Sequence, residues 1–258
     1  MITNPSSMLR FNWQQSTNST MTSSDYKDTL KKINHQVPQV PTLFLLDTSA
    51  SMSKSHDGKQ RIEHLQEGLD HFKEEISNHF EASEGVSVSV VTFGGEASIE
   101  QDFTPFKEWN PPNLSTQGTT PMSEAIMKGI GKLEDYKDAI DDDKYDRKRA
   151  HVWLLTDGEP DREPGSKEWE KAKEAINDAV DGKHVMMFAG AVTEDSNKQR
   201  LKQLIEPADK AATAFKVDSG SFKEVFEIAS NSVSAESEPG EEEGEPDAEE
   251  KISEAKSE

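Results

Sequence analysis

The chain has 258 residues, of which 32% are hydrophobic and 31% charged, and its formal net charge at pH 7 is −21. That balance speaks against binding a nucleic-acid backbone, whose phosphates would be repelled, and favours cations, basic partners or plain solubility. It contains no cysteine, which excludes thiol nucleophiles, disulfides and thiolate metal sites.

Met1–Ser24 is rich in Ser, Thr and Asn with little periodicity and reads as a flexible arm, although Leu9, Phe11 and Trp13 could dock on a domain. Met1–Gln15 lacks the continuous apolar run of a secretory leader, and no stretch approaches the length of a membrane span. The expectation is a cytoplasmic protein. Asp25–His35 has the spacing of a short helix, and Val37–Pro41, with two prolines, leads extended into the first strand. The organisation expected is an arm over 1–38, one domain over 39–234 and an acidic tail over 235–258.

Leu43–Leu46 is a short apolar run that suits a strand buried on both faces. It ends abruptly in Asp47, Ser49 and Ser51. Ligands in open α/β sheets bind just beyond the carboxyl ends of strands, and a carboxylate with two alternating hydroxyls there suits Mg²⁺ or Mn²⁺. From Arg61 to Phe80 the apolar residues Ile62, Leu65, Leu69, Phe72, Ile76 and Phe80 form one helical stripe. Val86–Phe93 reads as a second strand, Ala97–Phe103 as a short edge strand, and Pro105–Pro112 as a loop carrying Trp109. Gly118-Thr119-Thr120-Pro121 opens a helix whose apolar face runs from Ala125 to Ile140.

Asp141–Arg149 reads as a charged loop. His151–Thr156 repeats the design of the first strand and again ends in Asp, here Asp157. A helix (Ser166–Val180), a strand (Val185–Val192), a helix (Ser196–Ile205), a strand (Ala214–Val217) and a last helix (Phe222–Val233) follow. The alternation predicts an α/β fold, doubly wound, with a mostly parallel sheet flanked by helices and a short antiparallel edge strand. Ala235–Glu258 holds eleven acidic residues and almost nothing to bury, so it reads as disordered.

Three loops converge in this topology. Asp47, Ser49 and Ser51 follow one strand, Thr119 or Thr120 precedes a helix, and Asp157-Gly158 follows another strand. Taken singly, each segment is more simply a helix cap. Taken together, they resemble the metal-ion-dependent adhesion site of the von Willebrand factor A domain, with its Asp-x-Ser-x-Ser, a Thr, and an Asp-Gly. On that resemblance Thr120 is the matching threonine, because the family often has Gly-Gly-Thr-Pro where this chain has Gly118-Thr119-Thr120-Pro121. Ala50 and Thr119 depart from glycines common in the family.

The resemblance spans roughly Val40–Val233 and is greatest to bacterial tellurite-resistance-type members. Leu154–Pro160, Ser221–Phe226 and Ser230–Val233 carry that finer likeness. It implies a Mg²⁺ or Mn²⁺ ion held by Asp47, Ser49, Ser51, Thr120 and Asp157. The ion's free position would accept a Glu or Asp carboxylate from a protein partner in a bacterial stress or signalling complex. Partner choice would fall to surrounding loops, Trp109 and Asp57–Lys59 among them.

Other readings have less behind them. A metal-dependent phosphohydrolase with Asp47 as nucleophile would need an acid two residues on, where this chain has Ser49, and a serine is no general acid near neutral pH. A metal-free interaction domain is the remaining alternative. Gly129-Ile130-Gly131-Lys132 lacks the Ser or Thr of a phosphate loop, and Asp141-Asp142-Asp143 lacks the alternation and glycine of an EF-hand. His151, at the start of a strand, reads as structural.

Overall fold

Eight consecutive buried residues, Val40–Asp47, form strand β1 at the centre of a six-stranded sheet. The computed structural model describes residues 36–140, 146–158, 162–182, 184–192, 195–205, 211–218 and 220–238, and before them 26, 31, 33 and 34. The arm before Tyr26, the segment Asp141–Asp143 and the tail from Pro239 lie outside the described residues, as does most of Asp25–His35.

A 3₁₀ turn (Ala50–Ser53) and a two-stranded hairpin, β2 (Ser55–His56) and β3 (Lys59–Gln60), follow β1. Next come α1 (Arg61–Ser77), α2 (Phe80–Gly85), β4 (Val86–Gly94), β5 (Glu96–Pro105) and α3 (Met122–Ile140). The second half runs β6 (Ala150–Thr156), α4 (Lys167–Asp181), β7 (Val185–Val192), α5 (Asp195–Ile205), β8 (Ala212–Val217) and α6 (Phe222–Ser237). The strand order is β5-β4-β1-β6-β7-β8, with every pair parallel except the β4–β5 edge. The expected fold class is the one observed.

Alternation along β1 builds two cores. Leu43 and Leu45 face α3 and α4, where Ala125, Ile126, Trp169 and Ile176 are buried. Phe44 and Leu46 face α1 and α6, where Leu65, Leu69, Phe72, Phe222 and Phe226 are buried. Phe44 meets the Phe72 ring edge-on at 5.0 Å between centroids. The centre of the sheet is therefore fixed from both sides, and whatever leaves its carboxyl edge starts from a rigid base.

Three expectations need adjusting. The stripe from Arg61 to Phe80 is two helices, because α1 ends at Ser77 and the chain turns at Asn78. Phe80, expected in the apolar stripe, opens the second helix and is 66% exposed. At the other end, α6 runs through Ser237, three residues into the segment expected to be tail. Within the expected arm, Tyr26 is buried edge-on against Tyr136, and its hydroxyl donates to Asp102.

Candidate metal centre

β1 and β6 lie side by side and parallel, with Leu46 opposite Leu155, so Asp47 and Asp157 leave the sheet at the same edge. From β1 the chain moves outward to β4 and β5, then crosses back to β6 on the other side. The gap beyond β1 and β6 is thus the place where the strand order reverses, which is where open α/β sheets bind ligands.

Backbone hydrogen bonds bring the third loop to that gap. Gln117 N–H donates to the Thr48 carbonyl at 2.8 Å, and Ala50 N–H donates to the Gly118 carbonyl at 3.0 Å. On the other side Gly95 N–H donates to the Thr119 carbonyl at 2.8 Å. Gly118 sits at φ 58°, and a Cβ there would come 2.3 Å from the Gly95 Cα, so only glycine allows the two loops to pass this closely.

All five expected residues meet. Ser49 N–H donates to Asp47 Oδ1 at 2.8 Å, the Ser49 and Ser51 hydroxyls are 2.9 Å apart, and the Ser51 hydroxyl donates to Asp157 Oδ1 at 2.5 Å. Gly158 marks the middle of the cluster. The point a Cβ would take there lies 3.4 Å from Thr120 Oγ1 and 3.6 Å from both Asp47 Oδ2 and Ser51 Oγ. Without a side chain at 158, on the loop after β6, oxygens of the β1 loop and of Thr120 look into one small space.

Burial pushes the Asp47 carboxyl up from 3.8 to about 6, the neighbouring Asp157 charge adds to the rise, and donors on Ser49 and Thr156 pull it back. Asp47 is completely buried, and Asp157 nearly so. The Asp157 charge is near enough to act on the Asp47 carboxyl, and both side chains sit where little water reaches. Among the described residues no group of three or more His, Cys, Asp or Glu could hold a metal, so a cation here would have to be met by hydroxyls as well. The donor set, two carboxylates and three hydroxyls with no nitrogen or sulfur, fits a small hard cation such as Mg²⁺ or Mn²⁺.

Two residues of the cluster went unnoticed in the sequence. Thr156 donates its hydroxyl to Asp47 Oδ2 at 2.5 Å and accepts the Gly158 N–H at 3.1 Å. Its place next to Asp157 at a strand end was the available signal. Arg61, the first residue of α1, reaches across to Asp157 Oδ2 at 2.5 Å. Nothing in the sequence marks so long a reach.

Trp109 must be corrected. It is fully buried, with its ring 6.0 Å from those of both Phe72 and Phe106, so it is core and cannot touch a partner. Lys73 holds its loop down by donating to the carbonyls of Phe106 and Trp109. The Asp57–Lys59 tip is exposed, with Asp57 and Gly58 both at positive φ.

A model of the von Willebrand factor type A domain matches residues 43–228. Among solved structures, the PilB minor pilin from Streptococcus sanguinis is similar, with a TM-score of 0.55 at 14% identity over 80% of this chain and 64% of the pilin chain. The pilus adhesin SpaC from Lactobacillus rhamnosus GG gives 0.55 at 16% identity, over 79% of this chain and 31% of the adhesin. The vWF domain of the type V pili tip protein Mfa5 from Porphyromonas gingivalis gives 0.52 at 11% identity, over 81% and 99%. The chain thus spans less than two thirds of the first two of these proteins, and at such identities the likeness is one of fold. No curated protein matches the sequence.

Proposed function

Because the chain belongs to the von Willebrand factor type A domain family, we propose that it is a metal-dependent protein-interaction module. In this reading Asp47, Ser49, Ser51, Thr120 and Asp157 hold Mg²⁺ or Mn²⁺, and a Glu or Asp carboxylate of a protein partner completes the site. The observation that carries it is the convergence of Asp47, Ser51 and Thr120 oxygens on the space beside Gly158, with Ser51 hydrogen-bonded to Asp157 from the loop after β6.

The protein's own part is preorganisation. Thr156 and the Ser49 N–H hold the Asp47 carboxylate, and the Gln117–Thr48 and Ala50–Gly118 backbone hydrogen bonds set the Thr120 loop against the β1 loop. A divalent cation bound here would supply positive charge that three neutral hydroxyls leave uncancelled, which is what an incoming carboxylate needs. The exposed β2–β3 hairpin stands next to the site's Arg61 and is a surface for partner choice. Domains of this family generally serve adhesion and protein interaction rather than turnover. A nucleophilic Asp47 is disfavoured by its complete burial and by the donors already on both its oxygens. The cytoplasmic, tellurite-resistance-type stress role rests on the Leu154–Pro160, Ser221–Phe226 and Ser230–Val233 matches.

Calorimetric titration of Mg²⁺ and Mn²⁺ into chelator-treated protein tests the reading. The expected result is one saturable site, abolished in Asp47→Ala and weakened at least about tenfold in Thr120→Ala. A wild type without a saturable site, or variants that bind as it does, would return these residues to helix capping.

A further inference from the structure

The two buried carboxylates of the site are satisfied by different means. Asp47 takes neutral donors, the Ser49 N–H and the Thr156 hydroxyl. Asp157 takes the Ser51 hydroxyl on Oδ1 and the full positive charge of Arg61 on Oδ2. The Asp157 side chain is fully buried and the Arg61 side chain only 13% exposed, so this is not a solvent-screened surface pair.

Arg61 also stands in an awkward place. Its backbone N–H donates to the Lys54 carbonyl at 3.0 Å, which ties the start of α1 to the far side of the β2–β3 hairpin. From there its side chain runs inward, and its Nε is buried with no hydrogen-bond partner among the described residues. Burying a guanidinium with one donor unspent is unfavourable, and the Asp157 charge is what offsets it.

A divalent cation beside Asp157 would face that guanidinium across a single carboxylate. Like charges so close, in a region with little water, repel strongly. We infer that Arg61 is a built-in competitor of the metal, a tethered cation that neutralises Asp157 in the metal-free domain and is displaced from it when the site loads. The inference rests on the metal reading above and adds a regulator to it. The hairpin preceding Arg61 is exposed from Ser55 to Gln60, so a partner that grips this segment and draws Arg61 outward would raise metal affinity at the same time.

The test is Mn²⁺ titration into the full chain, followed both by calorimetry and by the electron paramagnetic resonance signal of free Mn²⁺. Wild type is compared with Arg61→Gln, which drops the charge, and Arg61→Lys, which keeps it. Arg61→Gln is expected to bind Mn²⁺ at least about tenfold more tightly than wild type, with Arg61→Lys near wild type. With metal removed, Arg61→Gln is expected to melt at a lower temperature, so metal shifts its melting point further. Should Arg61→Gln not fold, Arg61→Met keeps the aliphatic stem without the charge and carries the same expectation.

Equal or weaker binding by the neutral variants, beside a saturable site in wild type, would overturn the role of Arg61 and leave the metal reading standing. Absence of binding in every chain would overturn the metal reading and the inference with it.

Discussion

Asp47 is the residue on which proton, metal and fold all act. Its folded carboxyl is held at about 6, first by burial, against an ordinary 3.8. Between these values the folded domain binds a proton that the unfolded chain has released. The metal-free fold therefore gains from this proton at low pH and loses that gain as pH rises from about 4 to about 6. Asp47→Asn has no proton to lose, so its stability relative to wild type should rise across that window, by on the order of 3 kcal/mol at most. Chelator-treated samples unfolded in urea on either side of the window give the answer, and parallel pH profiles for the two proteins would sink the idea. Metal runs the other way. A cation needs the ionised carboxylate, so its affinity should climb over the same window in which the metal-free fold weakens.

At the scale of elements, the site depends on two loops passing at van der Waals limits. Gly118→Ala would put a methyl 2.3 Å from the Gly95 Cα and force an alanine into positive φ. The φ requirement alone costs about 1–2 kcal/mol, and the clash must also move Thr120. We expect a lower melting temperature together with weaker Mn²⁺ binding. Gly131→Ala in α3 is the internal control, because a methyl there meets nothing within 4 Å and helix propensity favours it. A Gly118→Ala protein with normal metal affinity would mean that Thr120 is not held by this crossing. Elements were legible in the sequence wherever burial itself was periodic. The run Leu43–Leu46 and its echo His151–Thr156 are strands because each packs two faces, and the carboxylates that end them share an edge because the strands are parallel neighbours. What stayed hidden was tertiary. A tryptophan in a proline-rich loop looks like a binding residue until Lys73 is seen to fasten that loop to α1. Asn78 interrupts a helix whose apolar spacing continues unbroken to Phe80. The span from Arg61 to Asp157 crosses 96 positions that no local pattern connects.

Across the whole molecule, the proposed chemistry sets a local cation site in a strongly negative protein. The net charge of −21 draws divalent cations in and holds an acidic partner off. Salt should therefore act in opposite directions on the two binding steps. Screening reduces the accumulation of cations around the domain, so metal affinity should fall as NaCl is raised. The same screening relieves repulsion between the domain and a Glu- or Asp-bearing peptide, so the association rate of the metal-loaded protein should increase. From about 50 mM to about 300 mM salt the screening length shrinks well below the size of the domain, which makes the contrast measurable. Stopped-flow association of an acidic peptide, at saturating Mg²⁺ throughout, isolates the second step from the first. A rate that falls with salt would show attraction between opposite charges at long range, the signature of a basic partner. The carboxylate-seeking cation would then not be what the partner meets first. A rate that rises with salt and vanishes with chelator is the pattern of an acidic partner held by a metal ion. In that pattern the short-range pull of one cation outweighs the repulsion of the surface around it, and specificity for that one point on the surface follows from the imbalance.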